Sequence, residues 1–186
     1  MKAVLISIHP KWCELIASGK KTVEVRKTRP KIETPFKCYI YETKGKCKDM
    51  LTRRDSNGEK VFTYNNGIGR VIGEFVCDRI YKTRIIPEFK EIGYDLNDYE
   101  IKETCITREQ LRAYGKDKHL YGWHISNLKI YDKPRELGEF RKPCRFEGKD
   151  AICNLFCHHC KYDGGLTFDC DRHLTKPPQS WCHVES

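Results

Sequence analysis

Two stretches of the chain carry residue types that do chemistry. The first is Gly19-Lys-Lys-Thr-Val-Glu-Val-Arg26, where two ammonium groups, a hydroxyl, a carboxylate and a guanidinium crowd together. On an extended segment over 20–28, a period of two puts Lys20, Thr22, Glu24 and Arg26 on one face and Lys21, Val23 and Val25 on the other. Lys21 must then reach round the strand edge, or sit on a bulge, to join the other charges. One reading of such an ionic strand is a solvated edge that discourages aggregation. The other is a site in which Lys20, Lys21 and Arg26 meet phosphates or base edges. Glu24, paired with Arg26 or Lys21, would be held ready to accept an exocyclic amine.

The second stretch spans 153–173, where Cys153, Cys157, Cys160, Cys170 and His173 are potential metal ligands. Cys157-x2-Cys160 makes the tight loop with which two thiolates grip one ion. Cys170 with His173 can close a tetrahedron, Cys153 is the alternative to His173, and Gly164-Gly165 supplies a turn between the two halves. The expectation is one structural zinc. The spacing Cys153-x3-Cys157-x2-Cys160 is also that of radical S-adenosylmethionine enzymes, yet a chain of 186 residues lacks the repeated βα units of their large barrel. Eleven cysteines without a secretory leader point to metal rather than to a disulfide scaffold. Cys13, Cys38 and Cys77 fall in apolar segments as small core residues.

The elements that must position these residues are mainly strands. Residues 2–8 alternate as a first strand, and Pro10 opens a helix over 10–18 whose apolar face is Leu15, Ile16 and Ala17. Gly19 is its left-handed stop. Between Lys44 and Asn66 the chain becomes polar, and turn signals at 55–58 and 65–67 flank a short strand at 60–64, which predicts a hairpin insertion. Residues 69–81 predict a longer strand, 84–102 an irregular excursion, and 121–131 a late strand. Thr107 with Gln110 predicts a capping box at the start of a helix over 107–114, ended by Gly115. Pro177-Pro178 enforces an extended approach to Trp181 and His183, which fall on the same side of an extended chain.

The pattern Gly19-x-Lys21-x-x-Glu24-x-Arg26 after a short amphipathic helix resembles the signature of the ASCH domain, a branch of the PUA-like superfamily. Lys37-Cys-Tyr-Ile-Tyr-Glu-Thr43, Gly69-Arg-Val-Ile-Gly-Glu-Phe-Val-Cys77 and Tyr121-Gly-Trp-His-Ile-Ser-Asn-Leu-Lys-Ile130 look like the family's later strands, in order. The resemblance implies an α+β, mainly β chain: a small β-barrel over 1–142 with short flanking helices and a hairpin insertion at about 44–66. A Cys/His-rich, zinc-stapled tail over 143–186 packs back on it. Such proteins are common in phage and firmicute genomes.

The resemblance also implies association with RNA or modified nucleotides, and it leaves three chemistries open. In a binder, Trp12, Tyr41 or Trp123 would stack on a base beside Lys20, Lys21, Glu24 and Arg26. In an acetylcytidine amidohydrolase, Lys21 matches the base, but Glu24 stands where the threonine nucleophile is expected, with Thr22 as the remaining hydroxyl. A metal-independent ribonuclease would use a lysine or glutamate as base and cations to hold the phosphate. A zinc-stabilised module that docks a protein partner is a reading of another class. With 35 Lys+Arg against 26 Asp+Glu, the net charge of +9 favours a polyanionic partner. Without a leader or an apolar run of about 18 residues, the expectation is a cytoplasmic protein with no membrane partner.

Overall fold

The structure, a computed structural model, describes residues 2–45, 51–54, 60–63, 67–82, 102–116, 118–143, 160–161, 169–170 and 172–185. Strand β1 (Lys2–Ile8) is its axis. Residues 3–8 are all buried, and their alternation serves two cores rather than a core and solvent. Val4, Ile6 and Ile8 point into one cluster with Cys38, Ile40, Phe75 and Trp123, while Ala3 and Leu5 join a second with Tyr39, Phe140, Leu174 and Val184.

After β1 the chain forms α1 (Pro10–Ala17), β2 (Val23–Arg26) and β3 (Phe36–Glu42), and β3 returns parallel to β1. Hairpin strands β4 (Leu51–Arg54) and β5 (Lys60–Thr63) pair antiparallel within the segment 44–66. Strands β6 (Val71–Cys77) and β9 (Ser126–Arg135) extend the sheet on one side, and β12 (Trp181–Glu185) closes the other, giving the order β12-β1-β3-β6-β9. A second, three-stranded antiparallel sheet, β2-β8-β7, is built from β2, β7 (Ile80–Lys82) and β8 (Tyr121–His124). Helix α2 (Arg108–Gly115) packs through Leu111 against Val25 and Leu120. Both arms of its capping box form: Gln110 N donates to Thr107 Oγ1 at 3.2 Å, and Thr107 N donates to Gln110 Oε1 at 3.1 Å.

Several expectations are corrected. Among the described residues the strands make two separate sheets and two short hairpins, not one closed barrel. The change of sheet falls at Ile125: its N–H still donates to Thr22 O at 2.8 Å, continuing the β2–β8 register, whereas the next residue, Ser126, pairs with Val76 of β6. The expected single strand over 121–131 therefore splits into β8 and β9, each serving a different sheet. Residues 69–81 split likewise into β6 and β7. Helix α2 includes Gly115 and stops at Lys116, which takes the left-handed conformation (φ 49°). The far end of the tail is part of the main sheet, since β12 is the antiparallel neighbour of β1. Most of 84–102 and of 143–171 lies outside the described residues.

Trp123 locks the two sheets together. It is fully buried, meets Phe36 edge-on with centroids 5.7 Å apart, and lies 6.1 Å from the Trp181 ring. Its indole N–H is buried without a hydrogen-bond partner. Trp123→Ala should cost about 3–5 kcal/mol in urea unfolding. Trp123→Phe should cost less than half as much, because it also removes an unpaired buried donor, whose burial alone costs about 1–3 kcal/mol. Equal losses for the two variants would contradict this packing.

Candidate nucleic-acid site

The site is built from the exit of α1. Gly19 (φ 71°) follows the C-cap Ser18, and its N–H donates to Ile16 O while Lys20 N donates to Leu15 O. Those two bonds make a Schellman motif, and Lys21 N also donates to Leu15 O at 3.0 Å. A Cβ at Gly19 would meet nothing within 4 Å, so the constraint there is the backbone conformation rather than space. Wound tightly round the helix end, the chain turns the Lys21 side chain inward before β2 begins. Lys21 is 1% exposed.

Its ammonium meets three acceptors: Val23 O at 2.9 Å, Thr104 O at 2.6 Å and Glu24 Oε2 at 3.4 Å. Burial pulls the Lys21 pKa below its ordinary value, and the neighbouring Glu24 carboxylate pushes it back up. On the same strand, Glu24 Oε1 lies 3.1 Å from Arg26 Nη2, which also donates to Ser7 O at 2.6 Å. The result is a buried cation–anion–cation triad with a net charge of +1. Every residue of β2 is buried, so the ionic face foreseen in the sequence is covered rather than solvated. Arg26 Nε is buried and has no hydrogen-bond partner.

Glu24 and Arg26 form part of the floor of a cleft of about 1180 Å³, together with Ser7 and Tyr41. Trp12 of α1 walls one side, with Lys21 Nζ 5.0 Å and Lys11 Nζ 5.2 Å from its ring centroid. Gln110 and Tyr114 of α2 also line the cleft, as do Leu174, Thr175 and 177–179 of the tail. The tail is held there by Ser7, whose Oγ donates to Pro178 O at 2.6 Å and whose N–H donates to Ser180 O at 2.9 Å. Tyr114 feels the triad: burial raises its phenol, Arg26 pulls it down and Glu24 pushes it up. Gln110 is oriented without ambiguity. Thr107 N–H can only donate, so the amide atom it meets is Oε1, and the Nε2 donor points elsewhere.

The structure brings Trp12, Tyr41, Glu24 and Arg26 to the cleft and puts Lys21 directly beneath, against Trp12 and Glu24. Other candidates are displaced. Lys20 is exposed and does not line the cleft. Trp123 is a core residue and has no face for a base. Thr22 Oγ1 is buried without a partner and away from the cleft lining, so it is not presented as a nucleophile. His124 pairs with Asp78 at 2.5 Å, and neither His124 nor His183 lines the cleft. Sequence reading missed Tyr114, Gln110 and Ser7. The capping box made α2 legible, but nothing local says which wall that helix forms.

Of the metal candidates, Cys153 and Cys157 lie outside the described residues. Cys160 and Cys170 are opposite one another in the register of β10 (Cys160–Lys161) and β11 (Asp169–Cys170). His173 is engaged at both ring nitrogens: Arg141 Nε donates to its Nε2 at 3.0 Å, and its Nδ1 bonds Gly138 O. Among the described residues no group of three His, Cys, Asp or Glu side chains converges.

Residues 6–135 match the model of the ASCH domain family. Among solved structures, the chain is similar to the ASCH protein of Zymomonas mobilis, with 18% identity, 96% of this chain and 85% of that chain covered, and a TM-score of 0.50. A single-substitution mutant of that protein aligns over 97% of this chain and 88% of its own, at 18% identity and the same TM-score. At this identity the likeness is one of fold. No curated protein matches the chain.

The triad makes a stability prediction. Glu24→Gln leaves Lys21 and Arg26 buried without their shared anion, which should cost about 3–5 kcal/mol. Adding Lys21→Met should recover part of that loss. Urea unfolding of the two variants checks it, and an unchanged midpoint for Glu24→Gln would show that the carboxylate is not holding the cations.

Proposed function

Because the chain belongs to the ASCH domain family, associated with RNA binding or hydrolase activity, we propose that its cleft binds nucleic acid, RNA in particular, or a modified nucleotide, with the cytoplasm as its place of action. The observation that carries this reading is the floor: a buried triad of net charge +1 whose Arg26 Nε, sealed from water, has no partner among the described residues. An unpaired buried donor is costly, and a shift of the guanidinium toward a phosphate or base carbonyl oxygen in the cleft would relieve that cost. Trp12 offers an aromatic wall for a base, and the +9 net charge adds long-range attraction for phosphates.

The same geometry favours binding over hydrolysis. The Lys21 ammonium directs its three hydrogens at Val23 O, Thr104 O and Glu24, so it could act as a base only after giving up a proton from that set. Glu24 is clasped by two cations, which stabilise its charge and blunt it as a nucleophile. Hydrolysis would first require this triad to come apart.

Titration of a fluorescent single-stranded RNA tests the reading. Trp12→Ala should weaken binding by about 1–3 kcal/mol. Arg26→Lys keeps the charge but removes Nε, and should weaken it about tenfold. Wild-type affinity should fall steeply with salt. Wild-type affinity in both variants would sink the proposal.

The register of Cys160 opposite Cys170 supports a second reading, a structural zinc in the tail held by Cys157, Cys160 and Cys170. Since Arg141 and Gly138 already occupy the His173 ring, Cys153 is the better fourth ligand. Purified protein should contain about one zinc per chain. Cys157→Ser with Cys160→Ser should lose the metal, and His173→Gln should retain it. A metal-free wild-type preparation made without chelator would refute the site.

A further inference from the structure

We infer that the cleft takes a dinucleotide step of a single strand, one base on Trp12 and the next on Tyr114, rather than a lone nucleoside. This rests on the nucleic-acid reading above and sharpens it. Trp12 and Tyr114 both line the cleft, and each ring carries a lysine on a face: Lys21 Nζ lies 5.0 Å from the Trp12 centroid and Lys27 Nζ 4.7 Å from that of Tyr114. Those lysines bracket β2. Six positions separate them, a span of at most about 20 Å in extended chain. Glu24 and Arg26 fall between, so the two rings stand toward opposite ends of a strand whose middle is the charged floor.

Size agrees with this arrangement. Pockets for drug-sized ligands hold about 300–1000 Å³. The cleft, at about 1180 Å³, exceeds that range and would leave a nucleoside loosely held. A ligand that reaches both rings crosses Glu24 and Arg26, where the excess positive charge of the triad calls for an anionic link. An internucleotide phosphate meets that requirement. Tyr114 is 39% exposed, and a base stacked on it would cover its ring. Tyr114 is thus the residue that distinguishes a strand from a monomer.

Titrations with uridine 5′-monophosphate (pU), the dinucleotide pUpU and an oligouridylate octamer test this. The second stacked base should make pUpU bind about 5- to 150-fold more tightly than pU. Tyr114→Ala should remove that gain, so that pUpU and pU bind this variant alike, and Tyr114→Phe should keep it. Because Tyr114 is partly exposed, these variants should unfold at the wild-type urea midpoint. If the octamer binds but pU and pUpU bind equally, or if Tyr114→Ala retains the gain, the inference is overturned and the nucleic-acid reading stands. If none of the three probes binds, both fall together.

Discussion

Three charged side chains share a space that water hardly enters, and four parts of the chain are fastened by what those side chains do. Lys21 ties the exit of α1 to the turn at Thr104, Glu24 bridges Lys21 to Arg26, and Arg26 reaches across to the Ser7 carbonyl on β1. Burying such charges costs several kcal/mol per ion unless the geometry supplies close partners. Here nearly every donor and acceptor of the triad is met, which offsets that cost. The exception is Arg26 Nε, which has no partner among the described residues, in a side chain that lines the cleft.

The rest of the architecture serves to hold that arrangement dry. A sheet covered on both faces gives β1 two cores, so Ser7 at its end sits on a rigid axis. Trp123 plugs the gap between the two sheets and fixes β8, which pairs Trp123 opposite Glu24 in register. The tail completes the enclosure by adding β12 to the edge of β1 and running 174–179 along the cleft. Trp181 secures that return by packing on Trp123 and donating its indole N–H to Thr28 Oγ1 at 3.0 Å.

A second polar cluster behaves differently and shows what burial contributes. On the outer side of β6, burial works to raise the Glu74 carboxyl, but hydrogen bonds from Tyr131 and Lys37 outweigh it and hold the group below its ordinary value. That network stabilises the folded state above the ordinary carboxylate range and loses its contribution as pH falls through the lowered folded value. None of its three side chains lines the cleft described above, and it reads as sheet cohesion. The Lys21 cluster, by contrast, carries an excess positive charge beside an open volume.

Much of the site was legible in local sequence. Pro10 and Gly19 bound α1 because a fixed φ suits a first turn and a left-handed φ suits glycine. The Thr107–Gln110 box marked α2, and period-two spacing placed Glu24 and Arg26 together. The Gly-x-Lys-x-x-Glu-x-Arg pattern pointed to the family that residues 6–135 match. Long-range pairing decided the remainder. Whether Lys21 was solvated or sealed depended on Thr104, 83 positions away, and the fate of Trp123 depended on Phe36 and Trp181. Strand alternation cannot report that a β-strand is covered on both faces, nor that the chain changes partner between Ile125, bonded to Thr22, and Ser126, paired with Val76. The sequence by itself determined which residue types stand at which spacing along each element. Only the tertiary structure decided which were charged beneath a cleft, which were core and which met solvent, because burial and electrostatic partnership belong to contacts between distant segments.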